Sequence, residues 1–114
     1  MTVEKLAQLL DAVILTCEEA AGSRQVSGVY ACDLLSRAMS KIEAGNVWIT
    51  IHTHLNVVAV ALLSGASSVL IPEGEIPDGA ILERASAESV ILLSGKASGA
   101  CYCHQILKLL EGGV

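Results

Sequence analysis

Three times in the second half of the chain, a short and nearly unbroken apolar run hands over to a helical repeat. Val47–Ile51 leads into Leu55–Leu63, Val69–Ile71 into Asp78–Glu88, and Val90–Leu93 into Ala97–Leu110. Runs without polar alternation belong to strands covered on both faces. Successive runs lie about 22 residues apart, the size of a compact βα unit. Doubly buried strands joined through helices build a parallel sheet with helices on both faces and right-handed crossovers. The pattern predicts an α/β fold with a mainly parallel sheet, and a single domain over residues 1–114.

The first half adds flanking elements. Val3, Leu6, Ala7 and Leu10 mark one face of a helix. Ala12–Thr16 reads as a buried strand, Glu18–Ser27 as a polar loop, and Val26–Ala31 as a short edge strand. Asp33 stands at the N-cap position of an amphipathic helix carrying Leu34, Leu35, Ala38, Met39 and Ile42, with Gly45 placed to cap its far end. Gly112–Gly113–Val114 reads as a frayed tail.

With 114 residues there is room for one real core and not for two. Composition then narrows the partners. The chain is 53% hydrophobic and 17% charged, so either helices cover the sheet on both sides or a partner buries the excess. A homodimer is the expected soluble solution. Its candidate surfaces are the Val26–Tyr30 segment with the Asp33–Ile42 helix, and the Tyr102/Leu109 flank of the last helix. The longest apolar run, Val57–Leu63, is far short of the ~20 residues that cross a bilayer. MTVEKLAQLLD lacks a signal-peptide core. The expectation is a cytoplasmic protein without a membrane partner. Seven Lys and Arg are scattered through a chain of net charge −5, with one Trp, two Tyr and no Phe. Nucleic-acid binding needs a basic stripe or aromatic platforms, so it is not expected. Cys17, Cys32, Cys101 and Cys103 read as free thiols.

In open α/β sheets, ligands bind beyond the carboxyl ends of the strands. Those ends here are Thr16–Cys17, Thr50–His54, Pro72–Gly74 and Ser94–Lys96. All are small, polar or ionisable, and helix N-termini open beside them, which suits an anion or small polar ligand. Surface loops are polar in any case, and that reading stands level with the first. His52 and His54, two apart in extended chain, would point to one side and could hold a metal with Asn56 or Glu73. The alternative, which isolated H-x-H patterns favour, is that one histidine hydrogen-bonds the helix start and the other packs. The predicted ligand-binding set is Thr50, His52, Thr53, His54, Asn56, Ser94, Gly95 and Lys96. No catalytic residue, resident metal or cofactor is assigned.

Two further motifs look like metal and nucleotide-hydrolysis signatures and are read otherwise. In CYCH, Cys101 and Cys103 diverge by about 200° on a helix and cannot share an ion. An apolar stripe through Ala100, Cys103, Ile106, Leu107 and Leu110 puts Cys103 toward the core and Cys101 outside. SGKASG lacks the first glycine and the Ser/Thr of a nucleotide-hydrolysing phosphate loop, and reads as a turn into a helix. No nucleophile–base arrangement or carboxylate pair stands out.

The stretch VSGVYACDLLSRAMSKIEAGNVWITIHTHLNVVAVALL resembles the DRTGG domain family. The resemblance is carried by D-L-L-S at Asp33–Ser36, G-x-V-W-I-T at Gly45–Thr50, and H-x-N at His54–Asn56 running into V-A-V-A. It extends less sharply to about Leu110. The pentapeptide Asp-Arg-Thr-Gly-Gly itself is absent. The resemblance implies a fold similar to the N-terminal domain of HPr kinase/phosphorylase, and a non-catalytic regulatory or small-ligand-sensing role with an anionic or nucleotide-like ligand. It also implies an association with iron-only hydrogenase or phosphotransacetylase-type systems. The alternative is a metal- or redox-linked accessory protein for hydrogenase assembly, using His52/His54 or Cys101.

Overall fold

The chain alternates helices and strands from end to end. The computed structural model describes residues 1–112. Its elements are α1 (Val3–Leu10), β1 (Val13–Ile14), α2 (Glu18–Ala21), β2 (Gly28–Ala31), α3 (Leu35–Lys41), β3 (Asn46–Ile49), α4 (Asn56–Ser64), β4 (Ser68–Ile71), α5 (Gly79–Ala87), β5 (Leu92–Ser94) and α6 (Gly99–Leu110). The sheet runs β1-β5-β4-β3-β2. β2 to β5 are parallel, and β1 is antiparallel on the β5 edge.

Successive side chains on a strand point to opposite faces, and here both faces are covered. Val47, Ile49, Leu70, Ile91 and Leu93 pack with α1, Ala21 and α6. Trp48, Val69, Ile71 and Leu92 pack with α3, α4 and α5. The sheet is thus the middle of three layers, as the unbroken apolar runs predict. Side-chain caps fix three helix starts. Thr2 Oγ1 accepts from Lys5 N, Asp78 Oδ1 from Ile81 N, and Ser98 Oγ from Cys101 N, each at 3.1 Å.

The first half departs from expectation in several places. The Ala12–Thr16 strand is only two residues long, lies at an edge, and leaves Val13 60% exposed. Thr16 ends it by clasping β5 with its side chain. Its hydroxyl donates to Val90 O at 2.7 Å and accepts from Leu92 N at 2.9 Å. The Glu18–Ser27 loop contains the short helix α2. Asp33 is not a helix cap. α3 starts at Leu35, and the preceding Leu34 offers no side-chain cap, because Asp33 is committed to the end of β3. Gly45 does not cap α3 either. Ile42 has already turned extended, and Gly45, at φ +89°, sits in the turn before β3 with its N–H on Gly65 O.

The stripe expected on α6 is rotated. Ala100 and Leu107 are exposed, Tyr102 and Ile106 are buried, and Cys103 is half-buried against the core. The reason is Gly95. Tyr102 reaches under it, and a Cβ at position 95 would stand 2.0 Å from the phenolic oxygen. Tyr102, 2% exposed, is therefore not part of a docking flank, and neither is Val26, which is also buried. Of the expected tail, Gly113 and Val114 lie outside the described residues.

Candidate functional site at the carboxyl edge of the sheet

Because β2 to β5 are parallel, Ala31, Ile49, Ile71 and Ser94 all end at one edge. The strand ends, the loops after them and the first residue of α4 carry every residue of the predicted set. They do not converge on one point. They fall into three groups.

The first group surrounds Asp33. Its Oδ1 accepts from the Thr50 hydroxyl at 2.7 Å and from Ile51 N at 2.9 Å, and Thr50 Oγ1 in turn accepts from His52 N at 3.2 Å. Thr50 is 1% exposed. Trp48 Nε1 donates to Cys32 O at 2.9 Å and holds the end of β2 against β3. Beside this network lies a cleft of about 450 Å³, lined among others by Cys32, Asp33, Thr50, Glu73, Gly99 and Cys103. The first turn of α6 forms one wall. A Cβ on Gly99 would meet Ile49 Cγ2 at 3.3 Å, so glycine lets the helix start press close to the strand ends. Burial pushes the Cys103 thiol above its ordinary value of 9.0. Partial loss of water, and then the neighbouring Cys32 thiol, raise the Tyr30 hydroxyl above 10.0, with Arg37 opposing.

The second group is Ser94, Gly95 and Lys96. They line a separate cleft of about 540 Å³ with Leu10, Asp11, Val13, Gly74, Ile76, Ala97 and Tyr102. Tyr102 Oη accepts from Ala97 N at 3.1 Å. Glu73 N donates to Ala97 O, and Gly74 N to Gly95 O, both at 2.9 Å. These bonds tie the β4–α5 loop to the β5–α6 loop. Pro72 and Glu73 line the first cleft and Gly74 the second.

The third group is the loop of His52, Thr53, His54 and Asn56, which lines neither cleft. His54 Nδ1 accepts from Asn56 N at 3.1 Å and so serves as the cap that Leu55 does not supply to α4. Among the described residues, no group of three His, Cys, Asp or Glu side chains is placed to hold a metal ion. His52 and His54 thus have no third protein ligand there. Cys101 is exposed and Cys17, Cys32 and Cys103 half-buried, all as free thiols.

Asp33, Tyr102 and Asp11 are absent from the predicted set. For Asp33 a signal existed. It stands two residues past the end of β2, one register position beyond the place that Thr50 holds after β3, but the helical pattern behind it suggested a cap.

No protein-family model matches the sequence, and no curated protein does. The fold does have a solved counterpart. It is similar to the crystal structure of the CBS and DRTGG domains of the regulatory region of Clostridium perfringens pyrophosphatase, complexed with its activator diadenosine tetraphosphate. The TM-score is 0.75 at 14% sequence identity, over 93% of this chain and 46% of that one. The fold is DRTGG-like. At this identity the likeness is one of architecture, and the chain spans less than half of the pyrophosphatase region it matches. It agrees with the resemblance carried by Asp33–Ser36, Gly45–Thr50 and His54–Asn56. Among the described residues, no helix is long and apolar enough to cross a membrane.

Proposed function

We propose that the chain is a non-catalytic regulatory module that senses a small anionic, nucleotide-like ligand at the carboxyl edge of its sheet. The observation that carries this reading is the Lys96 cleft. Leu10, Val13, Ile76 and Tyr102 supply an apolar lining, and Lys96 and Asp11 supply its two ionisable groups. A flat base against the wall and a phosphate beside the lysine would use both, since binding sites pair a mostly apolar lining with a few polar groups. Val13 is 60% and Ile76 73% exposed, which is costly surface for a cleft that stays empty. The structural counterpart is a regulatory region solved with a dinucleotide polyphosphate activator, and this supports the ligand class. Thr50, Asp33 and the His52–Asn56 loop lie on the same edge, and the Glu73–Ala97 and Gly74–Gly95 bonds would carry occupancy to the β4–α5 loop, which also lines the cleft beside Thr50 and Asp33.

The finer associations, with iron-only hydrogenase or phosphotransacetylase-type systems and with the cytoplasm, belong to the same proposal and rest on the sequence. Calorimetric titration with diadenosine tetraphosphate and with ATP tests the ligand. Saturable binding is expected, weakened at least about tenfold in Lys96→Ala by loss of a charge-assisted contact. No heat of binding for either nucleotide at millimolar concentration sinks the proposal.

A further inference from the structure

α4 is apolar on both sides. Val57, Val58 and Ala61 are buried against the sheet. On the opposite face Leu55, Ala59, Leu62 and Leu63 follow one another at the spacing of a second helical stripe, and all four are exposed. Leu55 is 41%, Leu62 48% and Leu63 71% exposed. From Val57 to Leu63 every residue is Val, Ala or Leu. A surface helix ordinarily turns a polar face outward, and one that is apolar all round is ordinarily buried on both sides.

We propose that this outer face of α4 is a two-fold interface with a second copy of the chain. Charge argues for that occupant. The chain carries a net charge of −5, so two copies repel through most of their surfaces. A two-fold contact brings each residue near the axis against its own copy, which punishes any charge there. The α4 stripe has no Asp, Glu, Lys or Arg, so it meets itself without repulsion. Ala59, small and central between the leucines, lets two helices approach closely. A membrane surface fits poorly, because a helix lying on lipid carries Lys or Arg along its polar face and α4 has neither. The stripe begins inside the candidate site, since Leu55 stands between His54 and Asn56. Pairing through α4 would therefore bring the second copy to the loop that ends β3.

Light scattering at micromolar concentration, on the intact chain and on two variants, tests this. The intact chain is expected at about twice 11.8 kDa. Leu63→Glu, a change at an exposed position, is expected to keep the far-ultraviolet circular dichroism of the intact chain and to fall to 11.8 kDa. Leu107→Glu, also at an exposed position but on α6 in the opposite layer, is expected to stay dimeric. A single-chain mass for the unaltered protein overturns the proposal. So does a Leu63→Glu protein that remains dimeric, or a Leu107→Glu protein that dissociates. If Leu63→Glu does not fold, Leu62→Arg takes its place with the same expected masses.

Discussion

The hydroxyl of Thr50 donates a 2.7 Å hydrogen bond to Asp33 Oδ1, joining the end of β3 to the segment that follows β2. Thr50 is buried, so this hydroxyl has no water to fall back on. Asp33→Ala removes the acceptor for both Thr50 and Ile51 N. It is expected to cost about 1–3 kcal/mol, the penalty for a polar group left unpaired in the interior. Asp33→Asn keeps a carbonyl oxygen in the same place and should cost less. Urea unfolding of the three proteins checks this, and equal midpoints for Asp33→Ala and the unaltered chain would refute it.

Thr16 is expected to matter more than its single hydroxyl suggests. It completes the pairing of β1 with β5 by satisfying both Val90 O and Leu92 N. Thr16→Val preserves shape, strands Leu92 N and leaves Val90 O only the weak Cys17 thiol donor at 3.6 Å, at a cost of about 1–3 kcal/mol. Thr16→Ser keeps the clasp and loses one methyl, at about 1 kcal/mol. The order of the two midpoints is the readout. A valine variant as stable as the serine variant would count against the clasp.

Gly95→Ala places a methyl where Tyr102 lies, with Oη at 2.0 Å and Cζ at 2.5 Å from the new carbon. Overpacking of this kind costs about 1–3 kcal/mol. Truncating Tyr102 to Ala relieves the clash, so the double variant should be less destabilised than the sum of the two single changes. Additive losses in a double-mutant cycle would show that the tyrosine moves freely.

The thiols should separate by reactivity. Cys101 is exposed, whereas burial raises the Cys103 thiol above 9.0 and keeps it protonated near neutral pH. The thiolate is the reactive form, so at about pH 8 iodoacetamide should label Cys101 well before Cys103. A raised pKa also fixes the sign of the pH dependence. The contribution of Cys103 to stability is fully present below the unfolded-state value and is lost as pH rises through the higher folded one. Peptide mass mapping over time gives the order of labelling, and faster labelling of Cys103 would contradict it.

The parallel half of the fold was legible in the sequence because Val47–Ile49, Val69–Ile71 and Leu92–Leu93 are apolar on both faces, and only a covered parallel sheet buries such strands. The β2 edge strand follows from equally local chemistry. Boundaries set by distant partners were not legible. Asp33 has the residue type and position of a helix cap, and only the approach of Thr50, 17 residues on, diverts it. Ala100 and Leu107 continue an apolar stripe on α6, yet the empty space over Gly95 decides which flank turns inward. The candidate site was legible as an edge and not as a pocket. The strand ends carry Thr50, His52 and Ser94–Lys96 together, but the bonds between Glu73 and Ala97, and between Gly74 and Gly95, join two loops that no local pattern relates.

The β1–β5 pairing also has a consequence for the order in which the chain can fold as it is made. Val13 and Ile14 lie beside Ser94 and Leu93, and Thr16 reaches Leu92 across 76 positions. α1 packs into a core that includes Ile91, Leu93 and Ile106. On the ribosome, the β2–β3–β4 layer can assemble while synthesis continues, since each strand pairs with its neighbour in the message. Thr2 and Val3 can meet Gln25 and Arg24 early, but Val13–Thr16 cannot join the sheet before β5 exists. That segment must wait, solvated or held by a chaperone, until β5 emerges, so the strand that precedes the other four in the chain is the last to be paired.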